Sequence, residues 1–298
     1  MQVISTSKQR MFRTAFMRQV AFLLLHFSAG TTTALAQMQA AQPPEAGQRG
    51  KDVMWVATAT ALVNRMLEMA NVTDKDFVID LGSGDGVVVI AAAKRGARAL
   101  GIEYDAGLIE LSKRLAAEAR VGARASFVKA DLLESDLSAA TVITMYLTND
   151  LNMRLRPTLL ALKPGTRILS QPFLLGDWVP DDSVTVFSFR SLLAPFIKSN
   201  DHCFFRCTAY LWIVPAKADG HWSMADGNLI LKQSYQMVEG TLTSNGRSTP
   251  ITNGKLRGDY ISFASGATAY SGQISGNVIA GIAKRDRDSS PWKAIRMP

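Results

Sequence analysis

The sequence predicts an α/β protein with a Rossmann-like, mostly parallel sheet that has helices on both faces, followed by a small C-terminal antiparallel β domain. Two observations support this fold class. Short β-branched runs alternate with helical patterns between residues 76 and 170, which is the order of strand–helix–strand units. From residue 217 onward, short alternating runs lie between Gly, Asn and Ser turns, which is typical of antiparallel strands.

The first region contains a helix followed by five predicted strands. The helix carries Leu and Met at helical spacing, and either Thr58 or Thr60 is placed to cap it. Asp105 is predicted to cap the helix after the second strand. A later helix, over residues 150–162, contains Pro157, which is expected to kink or restart it. The strands are predicted at 76–80, 98–104, 125–131, 140–146 and 166–170.

The composition predicts a folded protein without a nucleic-acid partner. Of the 298 residues, 47% are hydrophobic, which is enough for one large core or two modest ones. The formal charge is +8, but four of the 33 basic residues lie in residues 1–36, which contain no acid. The remaining 29 basic residues face 25 acidic ones, without the concentrated basic patch that nucleic-acid binding requires.

The first 36 residues have the pattern of a secretory signal. A basic stretch precedes the apolar run VAFLLLHFSAG, and the small residues ALA at 34–36 indicate cleavage before Gln37. The protein is therefore predicted to be exported, to the periplasm or the envelope, with no stable membrane span after the leader is removed. The alternatives are an uncleaved membrane anchor, or a cytoplasmic protein whose start site is placed too early.

The same patterns divide the chain into four segments. A polar stretch with a Pro pair separates the signal from the folded part, and the alternation of strands and helices ends before the β-rich C-terminal part. The predicted segments are the signal (1–36), the linker (37–50), the α/β domain (51–216) and the small β domain (217–298).

The chain has two cysteines, Cys203 and Cys207. The surrounding residues favour a strand, on which the two Cα atoms would be about 13 Å apart. That distance is too long for a disulfide bond. Both cysteines are therefore predicted to be free, buried thiols.

A glycine-rich loop, DLGSGDG at residues 80–86, leaves the first strand. Loops of this kind place backbone N–H groups and a helix N-terminus in front of a ligand. The spacing is GxGxG, because Val87 stands where a dinucleotide-binding loop has its third glycine, and the lysine of a P-loop is missing. Asp80 at the mouth of the loop would repel a pyrophosphate and suits a cationic amine.

The stretch VIDLGSGDG resembles the first motif of class I S-adenosylmethionine-dependent methyltransferases. The resemblance extends over about residues 51–181 and implies S-adenosylmethionine as the cofactor. It also implies that the backbone around Gly82, Gly84 and Gly86 cradles the methionine part of the cofactor. Asp80 would then lie near the ammonium group of that part.

The same resemblance assigns residues at the ends of the next two strands. Glu103 ends the second strand, where the family has an acid that accepts hydrogen bonds from both ribose hydroxyls. Asp131 follows the third strand, where the family places an acid for the adenine amino group, with Leu132 beside the ring. The alternative for Asp131 is that it caps the next helix. The alternative for the whole set is a Rossmann-like domain that binds another nucleotide.

The methyl acceptor is expected near the carboxyl end of the fourth strand, in TVITMYLTNDLNMRLRP. The [DN]PP[YFW] motif is missing there, which argues against base amines and glutamine amides as acceptors. The region resembles bacterial methyltransferases with leader peptides and, more distantly, lysine methyltransferases of mitochondrial inner-membrane proteins. This implies a protein lysine as a candidate acceptor, although Ala57-Thr58 stands where that group often has Pro-Thr.

Tyr146 and Asn149 are the residues expected to face the methyl acceptor. The structural alternatives are that Tyr146 packs at the strand end and that Asn149 caps the next helix. A different function also fits the predicted export signal. Because the cofactor is made in the cytosol, an exported chain could be a non-catalytic binding module on a methyltransferase-like scaffold. An oxidoreductase is disfavoured by the glycine spacing, and neither a metal-binding set nor a hydrolytic triad is evident.

Overall fold

The computed structural model describes residues 56–188 and 205–298. The predicted signal (1–36) and linker (37–50) lie outside these residues, as does Cys203. Within the described residues, no helix is both long and apolar enough to cross a membrane.

The α/β region is built on one seven-stranded sheet with the order β3-β2-β1-β4-β5-β7-β6. Strands β1 to β5 are parallel, whereas β7 runs antiparallel to both β5 and β6. The five predicted strands and the predicted fold class are confirmed. The elements are α1 (Thr60–Met69), β1 (Phe77–Leu81), α2 (Val87–Lys94), β2 (Arg98–Glu103), α3 (Ala106–Glu118), β3 (Ala125–Lys129), β4 (Val142–Met145), α4 (Asn149–Leu160), β5 (Arg167–Ser170), β6 (Asp182–Ser188) and β7 (Phe205–Ile213).

Both faces of the sheet are covered, as the α/β pattern predicts. Val78 and Ile79 are neighbours in β1 but belong to different core clusters, because successive side chains of a strand point to opposite faces. Val78 packs in the cluster that includes α1 and α2. Ile79 packs in the cluster that includes Leu155 and Leu159 of α4. The carboxyl ends of the strands therefore lie between two helical layers.

The helix caps agree only in part with the sequence predictions. Asp105 caps α3 by accepting hydrogen bonds from two backbone N–H groups of its first turn, as predicted. The prediction that Thr58 or Thr60 caps α1 is wrong, because the N-cap position is Ala59 and has no side-chain hydrogen bond. Helix α4 continues through Pro157 as a single element.

The C-terminal region is a closed, antiparallel barrel of eight strands, so the predicted small β domain has no open sheet edge. Closure results from the pairing of β15 with β8. The inward-facing side chains form one apolar core around Trp222, Phe263 and Trp292. The strands are β8 (Gly220–Met224), β9 (Gly227–Ser234), β10 (Met237–Ser244), β11 (Arg247–Arg257), β12 (Tyr260–Ser265), β13 (Thr268–Ser275), β14 (Val278–Arg285) and β15 (Asp288–Arg296).

The barrel is attached at the amino ends of the parallel strands. The last residue of β7, Ile213, pairs with Arg167 at the start of β5. Just beyond, the backbone N–H of Ala216 donates to the Gly258 carbonyl of the barrel at 2.8 Å. The Trp178 and Tyr235 rings stack across the junction with their centroids 5.8 Å apart. The carboxyl ends of the strands, where α/β proteins bind ligands, are thus on the opposite edge of the sheet from the barrel.

Cys207 is disulfide-bonded, which corrects the prediction of free thiols. That prediction assumed that both cysteines lie on one extended strand. The structure describes β7 from Phe205 onward, and Cys203 lies outside the described residues.

Candidate active site

The backbone N–H groups of the glycine loop donate hydrogen bonds to the end of the neighbouring strand β2. The N–H groups of Gly82 and Ser83 both donate to the carbonyl oxygen of Ile102, at 2.9 and 3.1 Å. The N–H group of Gly84 donates to the Glu103 carboxylate at 2.9 Å. A phosphate-binding loop turns such donors toward its ligand. The donor arrangement therefore disfavours a phosphate and leaves the acids of the site to select a cation.

Glycine is needed in the loop for steric reasons. Gly82, Gly84 and Gly86 have φ values of +70°, +53° and +79°, in the left-handed region that side chains rarely adopt. A Cβ atom on Gly82 would lie 3.0 Å from the Leu147 side chain, and one on Gly86 would lie 2.7 Å from the Phe127 ring. These glycines allow the loop to pack closely against the neighbouring strands.

Asp80 is a buried carboxyl group near the end of β1 that leads into the loop, with only 5% of its surface exposed. The Thr144 hydroxyl on the adjacent β4 donates to it at 2.6 Å. Burial raises the pKa of Asp80 to about 7, with further repulsion from Asp85 and Glu103, although the Thr144 hydrogen bond opposes the shift. A cationic group bound next to Asp80 would stabilise its charged form.

Glu103 ends β2 and joins that strand to the glycine loop. One carboxylate oxygen accepts the hydrogen bond from Gly84, and the other accepts from the N–H groups of Tyr104 and Asp105, at 2.8 and 2.9 Å. These bonds fix the orientation of the carboxylate. An ionised carboxylate offers about four lone-pair sites, so acceptor capacity remains for a ligand hydroxyl. The structure thus brings together Asp80, Glu103 and the three loop glycines, and the roles assigned to them stay predictions.

Asp131 and Leu132 lie past the end of β3 and are less constrained. Asp131 is exposed, and its carboxylate accepts a hydrogen bond from the N–H of Leu133 at 2.8 Å. This is a local turn and not the predicted alternative of a helix cap, because the next helix, α4, begins at Asn149. Leu132 is partly buried against the core cluster that contains Ile79. Their predicted contacts with adenine stay predictions.

On the acceptor side, Tyr146 directly follows β4 and is half-buried. Burial raises the pKa of its phenol, so the group is uncharged at neutral pH. Asn149 is exposed and is the first residue of α4. The alternative that Asn149 caps this helix is wrong, because the Thr148 hydroxyl accepts the capping hydrogen bond from Leu151.

Two residues near these positions were not singled out from the sequence. Tyr104 follows Glu103 and exposes 69% of its surface, beside the carboxylate predicted to bind ribose. Gln171 follows β5 and is buried, and its side chain donates to the Thr58 hydroxyl at 2.7 Å. Tyr104 could have been found from the sequence, because it is an aromatic residue directly after the acid that ends β2. The Gln171–Thr58 contact joins residues 113 positions apart and had no local signal.

The described residues contain no cluster of three or more His, Cys, Asp or Glu side chains that could hold a metal ion. His221 lies in the barrel, on strand β8, at the opposite edge of the sheet from the glycine loop. His202 lies outside the described residues.

Comparisons with known proteins point to one enzyme class. The family model described as the ANTKMT methyltransferase domain matches residues 80–182, which include the glycine loop and end before the barrel. A solved RNA methyltransferase from Salinibacter ruber, in complex with S-adenosyl-L-homocysteine, is 39% identical, with a TM-score of 0.46. That match covers 54% of this chain and 95% of the other.

Two curated relatives are lysine methyltransferases by name. The adenine nucleotide translocase lysine N-methyltransferase of Mus musculus is 33% identical over 35% of this chain, which spans only 46% of that relative. The protein-lysine N-methyltransferase of Saccharolobus islandicus (strain REY15A) is 41% identical over 45% of this chain and 85% of the relative. With a match of this identity over most of that relative, the chain belongs to the class I S-adenosylmethionine-dependent methyltransferases.

Proposed function

We propose that this methyltransferase transfers the methyl group of S-adenosylmethionine to the side-chain amine of a protein lysine. The observation that carries the cofactor part of the proposal is the concentration of acids around a loop in which the N–H groups of Gly82, Ser83, Gly84 and Gly86 already have partners. Asp80, Asp85 and Glu103 repel one another strongly enough to contribute to the raised pKa of Asp80. Such a site favours a cationic ligand over a phosphate.

The residues of the site fit S-adenosylmethionine, which supplies both the methyl group and a sulfonium leaving group. In this proposal Asp80 binds its ammonium group and the glycine loop receives the methionine part, which is supported by the burial of Asp80 beside Thr144 and by the lack of Cβ atoms at the loop glycines. Glu103 is held in a fixed orientation for the ribose hydroxyls. Tyr104 offers an exposed aromatic surface next to Glu103 for the base. Asp131 and Leu132 are the further candidates for adenine contacts.

The groups on the acceptor side support an amine. A lysine ammonium, whose ordinary pKa is about 10.4, must lose a proton before its nitrogen can attack. Tyr146 and Gln171 are both uncharged and at least partly buried, so neither adds a negative charge that would hold the amine as an ammonium ion. In the transfer, the nitrogen lone pair forms the new bond to the methyl carbon while the carbon–sulfur bond breaks, and its electron pair stays on sulfur. The proton lost before the attack passes to water, and the methylated amine leaves as its ammonium ion.

The names of the curated relatives support lysine as the acceptor, because seven of them are described as lysine N-methyltransferases. The Salinibacter ruber relative is described as an RNA methyltransferase. Protein and RNA fractions should therefore be tested in parallel.

The decisive experiment incubates the full-length chain with methyl-labelled S-adenosylmethionine and separate protein and RNA fractions of a cell extract. We expect the label in protein, and mass spectrometry should place it on lysine. Glu103→Ala should lower the rate by about 10- to 100-fold, because a charge-assisted hydrogen bond contributes about 1.5–3 kcal/mol. Glu110→Ala is the matched control, since that glutamate is an exposed residue of α3.

The outcomes separate the acceptor from the cofactor site. Label in RNA alone would overturn the lysine proposal and leave the methyltransferase activity standing. Calorimetric titration with S-adenosyl-L-homocysteine measures the cofactor site without any acceptor. Normal binding with no labelled protein or RNA would favour the non-catalytic binding module instead.

We also propose that residues 1–36 direct export of the chain, on the basis of their basic and apolar pattern. Cell fractionation with an antibody, followed by N-terminal sequencing, tests this. A mature chain that begins at Gln37 in the periplasm or envelope is the expected result. A full-length chain confined to the cytoplasm would contradict it.

A further inference from the structure

We propose that the side-chain carbonyl oxygen of Gln171 accepts a hydrogen bond from the methyl-accepting amine, and that Thr58 holds the Gln171 amide in position for this contact. The proposal rests on the proposed function, because it deepens the description of the acceptor side of the same site. It adds two residues that the sequence motifs of the cofactor site do not include.

Gln171 lies at the carboxyl edge of the sheet, beside the predicted acceptor residues. The backbone N–H of Gln171 donates to the carbonyl oxygen of Met145 at 3.2 Å. Met145 and Ser170 are paired as the last residues of β4 and β5. Gln171 and Tyr146 are therefore neighbours at the carboxyl edge of the sheet. Leu147, the next residue, lies against Gly82 of the glycine loop, so this edge adjoins the cofactor site.

Only one end of the Gln171 amide has a hydrogen-bond partner among the described residues. Gln171 is 5% exposed, and its Nε2 donates to the Thr58 Oγ1 at 2.7 Å. Its Oε1 is buried and has no hydrogen-bond partner within residues 56–188 and 205–298. Buried polar atoms in proteins nearly always have a partner, so an unpaired one calls for a ligand or a water molecule. A carbonyl oxygen can only accept, so the missing partner must be a donor.

The chemistry of the reaction limits which donor this is. A neutral amine carries two N–H groups and one lone pair, and it reacts only when the lone pair points at the methyl carbon. An acceptor that takes one N–H group restricts the rotation of the amine and favours that alignment. An amide oxygen does this without the negative charge that would hold the amine as an unreactive ammonium ion. The Gln171 amide therefore suits an amine acceptor better than a carboxylate at the same place would.

Thr58 acts through Gln171 and is a positioning residue. It lies in the segment before α1, and its side chain does not cap that helix. With Nε2 bound to the Thr58 hydroxyl, the amide keeps its oxygen on the side away from Thr58. The Thr of the Ala57-Thr58 pair thus has a structural partner at the acceptor edge of the sheet.

The test measures methyl transfer with labelled S-adenosylmethionine and the protein fraction that the wild-type chain labels. We expect Gln171→Leu to lower kcat/KM for the protein fraction about tenfold or more, the effect of losing one hydrogen bond in the transition state. Its affinity for S-adenosyl-L-homocysteine should stay within about twofold of wild type. Gln171→Glu keeps an acceptor oxygen but adds a charge, so its pH–rate profile should move toward higher pH.

Two further variants separate positioning from stability. Thr58→Val should lower the rate by less than Gln171→Leu does, and Thr58→Ser should restore most of it because the hydroxyl is retained. Gln236→Leu is the matched control, since Gln236 is also buried and also donates a side-chain hydrogen bond, to Val179 at the barrel junction. Methyl transfer by folded Gln236→Leu should match that of wild type.

The outcomes distinguish this inference from the proposed function. If wild type labels protein but Gln171→Leu does so at the wild-type rate, or Gln171→Glu leaves the pH–rate profile unmoved, the inference is overturned and the function stands. If Gln171→Leu loses S-adenosyl-L-homocysteine affinity in proportion to its rate, Gln171 serves the cofactor, which also overturns it. If wild type labels no protein lysine, the proposed function itself fails.

Discussion

The two ends of β1 carry buried aspartates in closely similar settings, yet the two carboxyl groups have opposite electrostatic environments. Asp76 precedes the strand and is 7% exposed, and Asp80 lies near its other end and is 5% exposed. Each accepts a hydrogen bond from a threonine of the adjacent β4 segment, Thr141 at 2.7 Å and Thr144 at 2.6 Å. The difference lies in the charges that surround them.

At the amino end the protein supplies its own cation. Arg167, at the start of β5, forms an ion pair with Asp76. Although burial acts to raise the pKa of Asp76, hydrogen bonds from Thr73, Thr141 and Arg167 hold it below its usual value. At the carboxyl end the neighbouring charges are acids, and the pKa of Asp80 rises to about 7. At the amino end the charge of Asp76 is thus balanced by a cation of the protein itself, whereas the carboxyl end is suited to a cation from a ligand.

The largest stability effect is expected at the amino end. Arg167→Leu leaves the buried Asp76 carboxylate without its counterion, which typically costs about 3–5 kcal/mol. Guanidinium unfolding at neutral pH should show this loss in the free energy of unfolding. The affinity for S-adenosyl-L-homocysteine should not change in the folded fraction, because Arg167 is at the other end of the sheet from the glycine loop.

Arg114→Leu is the control, since its ion pair with Glu118 is exposed on α3 and such pairs contribute about 0–1 kcal/mol. A stability loss in Arg167→Leu no larger than in this control would mean that Asp76 does not depend on Arg167 as its counterion.

At the carboxyl end, substitution of the aspartate is expected to raise the free energy of unfolding instead of lowering it. Asp80→Asn removes a carboxyl group that is costly to ionise and keeps an oxygen for the Thr144 hydroxyl. The free energy of unfolding at about pH 8 should rise by about 2 kcal/mol, because a pKa difference of one between the folded and unfolded chain corresponds to about 1.4 kcal/mol and the new amide offsets part of the gain. Binding of S-adenosyl-L-homocysteine should weaken about tenfold or more, since its ammonium loses a carboxylate partner. A variant that is less stable and binds normally would contradict both parts.

In the wild type, stability and affinity for the ammonium-bearing ligand should depend on pH in opposite directions. The folded-state pKa of Asp80, about 7, lies above its ordinary value of 3.8. Its contribution to stability is therefore fully present below about pH 3.8 and is lost as the pH rises through about 7. The affinity for the ammonium-bearing ligand should change in the opposite sense and rise over the same range. Unfolding and calorimetric titrations at several pH values should show both slopes, and Asp80→Asn should flatten both.

The contrast also explains which parts of the site the sequence could predict. Asp80, the loop glycines and Glu103 were found because they belong to consecutive elements whose order is readable from the hydrophobic pattern. The contacts of Thr144 with Asp80 and of Gln171 with Thr58 span 64 and 113 residues. They depend on β4 lying beside β1 and on the placement of the segment before α1. A single sequence predicts the strands but does not specify these side-chain pairings.

Local ambiguity accounts for the remaining differences. The stretch Leu147-Thr148-Asn149-Asp150 contains three residue types that cap helices, and the structure uses Thr148 rather than Asn149. The alternating runs after residue 217 predicted antiparallel strands but not closure, because closure depends on the pairing of the first and last of them, β8 and β15. The disulfide of Cys207 was missed because the prediction assumed one extended strand through both cysteines.

The smallest predicted effects come from the two threonines, and their pH dependence separates the ends of β1 most directly. Thr141→Val and Thr144→Val each remove one hydrogen bond to a buried aspartate, at a cost of about 1–2 kcal/mol at about pH 8. Asp76 is ionised throughout the range from about pH 5 to 8 because its pKa is lowered, so the cost of Thr141→Val should be constant there. Asp80 is mostly protonated at about pH 5, so Thr144→Val should cost less at that pH than at about pH 8. Equal pH dependence of the two variants would show that the two ends of the strand do not differ in the ionisation of their aspartates, and the case for a cation-binding carboxyl end would lose its basis.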